Sequence, residues 1–179
     1  KAGSPRRRRF SYRKSWAAKD WNLRAGRVLD IACGNGRNSI FLAKRGFQVT
    51  AVDISPVGIA RGRARAKEKA LSIDWREADL ERLDLGVQAY DLVVNINYLQ
   101  RSLVPRIKRA LKNDGQVIFE TFLIDQQALG HPSNPAYLLA HNELLELFRD
   151  FRVLHYREGK CFEGAEPSLR ASMLAQKVG

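Results

Sequence analysis

Two carboxylates, Asp30 and Asp53, belong to short apolar runs, and the first is followed closely by a pair of glycines, Gly34 and Gly36. The stretch Val28 to Asn38 reads V-L-D-I-A-C-G-N-G-R-N. Glycines so placed let a chain leaving a strand turn sharply and approach a ligand where any Cβ would collide. The run Val49 to Val52 then ends in Asp53, at the spacing from which a carboxylate accepts both hydroxyls of a ribose. Two strand ends thus face one molecule, and a nucleoside is the expected ligand. The alternative is a tight strand-to-helix turn with no ligand at all.

Two nucleoside-binding folds share this pattern. A dinucleotide fingerprint, G-x-G-x-x-G, sets a helix N-terminus against a pyrophosphate, but the third glycine position is Ser39. Asp30 would repel a pyrophosphate, whereas it suits the ammonium and sulfonium charges of S-adenosylmethionine. That cofactor is therefore the expectation.

From here the chain resembles a known family. The run D-I-A-C-G-N-G-R-N-S-I-F-L-A-K-R-G-F-Q-V-T-A-V-D is similar to class I S-adenosylmethionine-dependent methyltransferases, and among them to the small tellurite-resistance-type methyltransferases. Glu77-Ala78-Asp79-Leu80 resembles the segment that reaches the adenine. Tyr90 to Asn95 resembles the fourth strand, and Leu111-Lys112-Asn113-Asp114-Gly115 the turn before the fifth. The expected cofactor-binding residues are Asp30, Ala32, Gly34, Asn35, Gly36, Asn38, Asp53, Ile54, Ala78, Asp79, Leu80, Asn95 and Asn97. The resemblance covers residues 27 to 179, and the short basic segment before the first strand departs from it.

The chain has 179 residues and 45% hydrophobic content, enough for one sizeable core. No apolar stretch approaches the roughly 20 residues that span a bilayer. Two distant cysteines, Cys33 and Cys161, are not a secreted disulfide scaffold, and a cytoplasmic location is expected. Of the net charge of +12, residues 1–27 carry +9, from ten Lys or Arg against Asp20. Such a run reads as a solvated, self-repelling tail over residues 1–26, ahead of a methyltransferase domain over 27–179. RNA binding is the rival, because Phe10, Tyr12, Trp16 and Trp21 interleave with the basic residues; a targeting peptide is a third reading. The chain begins at Lys1, which leaves room for a longer or processed native N-terminus.

Strands and helices alternate as in a doubly wound α/β sheet. The expected strands are Arg27 to Ile31, Phe47 to Asp53, Ile73 to Arg76, Asp91 to Ile96 and Gln116 to Phe122. The expected helices are Arg37 to Arg45, one from Pro56 to about Ala70 capped by Ser55 and weakened by Gly58 and Gly62, and Leu103 to Leu111. Residues Leu123 to Asn142 read as a loop without regular elements over the ligand edge, followed by a helix at Glu143 to Phe148. Arg152 to Arg157 and Leu169 to Gln176 read as a closing antiparallel pair joined by a Gly159 to Glu166 loop. The fold class is a Rossmann-like, mostly parallel sheet with that C-terminal pair.

Transfer of a sulfonium methyl releases a neutral thioether and needs no acid, so alignment and desolvation are the main requirements. The acceptor zone should lie beyond the carboxyl ends of the strands, near Asn95 to Arg101, Glu120 to Phe122 and the Leu123 to Asn142 loop. Candidates there are Tyr98, Arg101, His131 and Tyr137, with His141 a further potential base. Glu120 must meet a basic partner or face the site. His155 reads as packing, Cys33 as a small buried filler, and no metal-ligand spacing is present. No Asp-His pairing is visible in the sequence near the strand ends, so the expected acceptor is a small molecule with a free lone pair: a thiolate, chalcogen oxyanion or carboxylate. The rivals are an RNA methyltransferase using the basic segment and a catalytically silent cofactor-binding module.

Overall fold

The computed structural model describes residues 23–161 and 167–179; the basic run with its four interleaved aromatics, and most of the Gly159 to Glu166 loop, lie outside these residues. Nearly continuous apolar segments must be covered on both faces, and the sheet they build is sandwiched accordingly. Its seven strands are β1 (Arg27–Ile31), β2 (Gln48–Asp53), β3 (Asp74–Glu77), β4 (Tyr90–Ile96), β5 (Leu111–Phe122), β6 (Phe151–Cys161) and β7 (Ser168–Lys177), in the order β3-β2-β1-β4-β5-β7-β6. The first five pair in parallel; β7 pairs antiparallel with both β5 and β6. Among the described residues four α-helices accompany them: α1 (Arg37–Ala43), α2 (Pro56–Lys67), α3 (Val104–Ala110) and α4 (Glu143–Leu147).

The two sheet faces bury separate cores. Leu29, Ile31, Val93 and Phe119 pack with Leu103 and Ile107 around α3 and with Leu144 and Phe148 around α4. Val28, Ala51, Val94 and Ile118 pack on the other face with Leu42 of α1. Helix α2 starts as its residues dictate, the Ser55 hydroxyl accepting from the Gly58 amide at 3.1 Å with Pro56 in the first turn.

Several boundaries differ from expectation. Helix α2 stops at Lys67 rather than Ala70, because Ala70 takes φ +51° and the Leu71 amide returns to the Ala66 carbonyl at 3.0 Å. The fifth strand begins at Leu111, directly after α3, and the turn-like Lys112 to Gly115 becomes an irregularity inside it: Tyr90 pairs with Leu111 but Leu92 with Gln116. Residues Leu123 to Asn142 are not without regular elements; two 3-10 helices, Ile124–Leu129 and Pro135–Tyr137, form there, and Leu123 bridges Leu139. Asn134 supports the second by accepting from the Ala136 amide. The C-terminal pair is longer than its apolar runs, since β6 continues to Cys161.

Candidate cofactor and acceptor site

In a parallel sheet every strand delivers its C-terminal residue to one edge, and here the ends of β1, β2 and β4 converge. Asp30, next to last in β1, is 1% exposed. Its Oδ2 accepts from the Ser39 hydroxyl at 2.5 Å, while Oδ1 is buried with no hydrogen-bond partner. Burial pushes this carboxyl up to about 7, opposed by the Ser39 hydrogen bonds and reinforced by the nearby Asp53. Ser39, the residue that breaks the dinucleotide fingerprint, is thus the partner of the acid.

Asp53 closes β2 and staples the loop. Its Oδ2 accepts from the Gly34 amide at 2.7 Å and its Oδ1 from the Ser55 amide at 2.8 Å. A carboxylate offers about four lone-pair sites, so each oxygen retains acceptor capacity. The Cys33 amide adds a third tie, donating to the Val52 carbonyl at 3.0 Å. The Cys33 thiol is pushed far up by burial and by both carboxylates, which makes it an inert filler rather than a nucleophile.

The two glycines serve different neighbours. Gly34, at φ +55°, faces open space, whereas a Cβ on Gly36, at φ +72°, would lie 2.1 Å from the Trp75 ring. Gly62 of α2 is cut back for the same ring, at 2.5 Å, and Gly58 for the Gly34 carbonyl, at 2.9 Å. The glycines that weaken α2 therefore make room for the loop and its aromatic support, a relationship absent from the sequence reading. Asn35 is held by Arg65, which donates to its carbonyl and Oδ1 at 3.3 and 3.2 Å. Ala32, at φ +50°, and the buried Asn38 complete the turn into α1.

Around the rim, Ile54 is 67% exposed just past β2. The Ala78 amide donates to the Asp53 carbonyl at 3.0 Å, which brings Ala78, Asp79 and the buried Leu80 alongside. Next to last in β4, the buried Asn95 donates its side-chain amide to the Tyr98 carbonyl at 2.7 Å. Asn97, at φ +60°, accepts from Arg170 at 2.5 Å. Burial raises the Tyr98 phenol, with Glu81, Asp79 and Asp53 adding to the effect, and its hydroxyl donates to Gln100 at 2.7 Å.

Arg101 is not a free anion receptor. Its guanidinium donates to both Glu143 oxygens at 2.5 and 2.9 Å, to the Ala136 carbonyl at 3.1 Å and to the Leu138 carbonyl at 2.9 Å, clamping the 123–142 segment to the turn after β4. Tyr137 is 58% exposed within that segment. His131 is exposed, and its carbonyl accepts from Gln126 at 2.9 Å. An Asp-His pair does exist, contrary to the sequence reading: His141 Nε2 meets Asp125 Oδ2 at 2.5 Å and its pKa is raised, chiefly by that hydrogen bond. It fastens the two ends of the segment, while the Asn142 amide donates to Glu158 of β6 at 3.0 Å. Glu120 meets a basic partner, accepting from Arg170 at 3.2 Å and from the Ser172 hydroxyl at 3.0 Å. Sequence reasoning missed Arg170, Glu143, Asp125 and Trp75; the one sequence signal pointing to any of them was Glu120, whose buried acid demanded a cation and found Arg170.

Residues 28–115 match the family described as a methyltransferase domain. TehB of Haemophilus influenzae, named an S-adenosyl-L-methionine-dependent methyltransferase, is 29% identical over 164 residues, 84% of this chain and 57% of that protein. Its crystal structure superposes with a TM-score of 0.72 at 26% identity over the same shares of the two chains. The chain belongs to the S-adenosylmethionine-dependent methyltransferases. Within this methyltransferase family, the ubiquinone biosynthesis O-methyltransferase of Azotobacter vinelandii is 30% identical over 135 residues, 72% of this chain and 54% of that protein. The methyltransferase fold is also that of a Burkholderia thailandensis 1,6-didemethyltoxoflavin-N1-methyltransferase crystallised with S-adenosylhomocysteine (TM-score 0.67, 22% identity, 87% of this chain and 72% of that one). This methyltransferase chain spans about half the length of the curated relatives it matches. The residues fit the family cofactor on two counts: Asp30 has a buried carboxylate oxygen without a hydrogen-bond partner, and Gly34, four residues on, faces open space.

Proposed function

We propose that the chain transfers the methyl group of S-adenosylmethionine to a small-molecule acceptor, with a thiolate, chalcogen oxyanion or carboxylate favoured. The observation that carries this reading is Oδ1 of Asp30. A buried acceptor without a partner costs free energy and is tolerated where a ligand completes it. An ammonium group beside Asp30 does so, and its charge draws the carboxyl back to its ionised form.

The other roles follow from position. Gly34, Ala32 and Asn35 leave a backbone surface for the methionine portion, Asn38 borders it at the start of α1, and Asp53 accepts the ribose hydroxyls. Ile54 offers an apolar face to the adenine, whose rim is met by Ala78, Asp79 and Leu80. Asn95, Asn97 and Tyr98 border the side on which the acceptor arrives. When bound, the cofactor supplies a sulfonium methyl for in-line displacement. The chain contributes alignment and exclusion of water: the Arg101 clamp holds the 123–142 segment over the edge, and the Glu120–Arg170 pair fixes Asn97. The small-molecule reading is supported by the names of relatives, ubiquinone biosynthesis among them. Among the described residues no helix is long and apolar enough to cross a membrane, and both cysteines are unpaired, so we place the protein in a reducing cytoplasm.

The test is calorimetric titration of S-adenosylhomocysteine into wild type and Asp30→Asn, followed by incubation of wild type with S-adenosylmethionine and a metabolite extract. We expect binding by wild type, a loss of at least about tenfold in the variant, equivalent to roughly 1.4 kcal/mol, and formation of S-adenosylhomocysteine that depends on the extract. Equal binding by both proteins would remove Asp30 from the site. Binding without turnover would favour the silent module.

A further inference from the structure

Among the described residues some cations are ion-paired, and others, such as Arg106 and Lys177, are taken up by backbone carbonyls. Arg101, Lys108, Arg109, Lys112 and Arg170 each reach a carboxylate. On α1 and α2, by contrast, Arg37, Lys44, Arg61, Arg63, Arg65 and Lys67 have no ion-pair partner among the described residues. Arg63 and Arg65 donate instead to neutral groups, the Trp75 carbonyl and Asn35, and so keep their charge uncompensated. Helix α2 contains no acid, and residues 35–69 hold eight Lys or Arg against Asp53 and Glu68. Their net +6 exceeds the +3 of residues 28–179 as a whole, so the rest of that stretch is net acidic by 3. Arg61 with Arg65 and Arg63 with Lys67 stand four apart and repel, an arrangement that costs helix stability.

Beside these charges runs a groove of about 590 Å³ between α2 and β3, lined by Arg63, Lys67, Leu71, Ile73 and Trp75. An aromatic ring and short apolar wall among cations is the pairing that holds an unstacked base next to its phosphate. From Arg61 to Lys67 the helix exposes no large apolar side chain, and the exposed Ile54 and Val57 stand at its N-terminal end away from most of these charges, which argues against a bilayer surface, where apolar anchors interleave with the cations.

We infer that the α1–α2 face is a docking surface for single-stranded RNA, with Arg37, Arg61, Arg63 and Lys67 on the phosphates and the groove beside Trp75 taking a base. The inference stands apart from the identity of the methyl acceptor. RNA held on this face need not be the molecule that is methylated.

The test uses the full chain and a fluorescein-labelled oligouridylate of about 20 nucleotides, a length that spans such a site, followed by fluorescence anisotropy across a salt series. The variant Arg61→Glu/Lys67→Glu/Lys69→Glu changes exposed residues away from the proposed cofactor site, and the basic residues 1–27 are present in both proteins. Its affinity should fall at least about tenfold, and the slope of log affinity against log salt should shrink by about 1.4, from roughly 0.7 for each of the two lost phosphate contacts, Arg61 and Lys67. The milder Arg61→Gln/Lys67→Gln/Lys69→Gln variant, folded by circular dichroism, should move the same way by a smaller amount. RNA affinity within about twofold of wild type in either folded variant overturns the proposal. So does binding to phosphatidylserine vesicles that matches RNA binding and disappears in the same variants, since the partner would then be a membrane.

Discussion

The amide of Gly34 donates to Oδ2 of Asp53 at 2.7 Å, so the carboxylate at the end of β2 also sets the backbone of the loop leaving β1. One side chain thus shapes the cradle for one end of the proposed cofactor while offering its remaining lone pairs to the ribose.

Replacing Asp53 should therefore do two things at once. Asp53→Ala should weaken S-adenosylhomocysteine binding by about 30- to 150-fold, from charge-assisted contacts worth on the order of 2 to 3 kcal/mol. It should also accelerate amide exchange at Gly34 and Ser55, whose donors lose their partner. Unchanged affinity in calorimetry would displace the ribose from this position.

Asp30 predicts a pH dependence of defined sign. Its carboxyl stands at about 7 in the folded chain against an ordinary value near 3.8. Neutral Asp30 is thus favoured by the fold, and the associated stability is present below about pH 4 and lost as pH rises through about 7, on the order of 4 kcal/mol in all. Cofactor affinity should run the other way, strengthening as pH rises through about 7 because the ammonium needs the ionised acid. Urea unfolding and calorimetry at about pH 5 and about pH 8 measure both trends. In Asp30→Asn both should flatten, and a slope that survives the substitution would assign it to another group.

The glycines should separate binding from folding. Gly34→Val points into open space at positive φ, and it should abolish cofactor binding at a strain cost of about 1 to 2 kcal/mol. Gly36→Ala meets the Trp75 ring, and it should destabilise the fold by about 1 to 3 kcal/mol. The shorter side chain of a second change, Trp75→Leu, should recover part of that loss in thermal unfolding. Gly36→Ala that folds as wild type would show that Trp75 moves aside freely.

Arg101→Ala should loosen the 123–142 segment rather than the cofactor. The Arg101–Glu143 pair is part-exposed, so about 1 kcal/mol of local stability is at stake, and amide exchange at Leu138 to Ala140 should quicken roughly fivefold. S-adenosylhomocysteine affinity should stay within about twofold. Loss of cofactor affinity with no change in exchange would make Arg101 a direct contact.

No enzyme base should be needed for an acceptor that is already ionised. His131→Ala and His141→Ala should each cost less than about tenfold in turnover, or roughly 1.4 kcal/mol. A thousandfold loss in His141→Ala with a verified acceptor would promote the His141–Asp125 pair from fastening the loop to catalysis.

What the chain announces locally is the set of strand ends and what they carry. Asp30, Gly34 and Asp53 were legible because a parallel α/β sheet brings the C-terminal end of every strand to one edge, so residues far apart in sequence become neighbours without any knowledge of packing. Ser55 and Pro56 likewise mark a helix start through contacts within a few residues. Tertiary structure alone decided the rest. That Gly36 and Gly62 serve Trp75, that Arg101 is spent on Glu143 across 42 residues, and that Arg170 reaches Asn97 across 73 all depend on strand order, register and side-chain direction. The insertion of β7 between β5 and β6 brings Arg170 to Glu120, and short-range spacing carries no information about which distant strand will supply a buried acid with its cation.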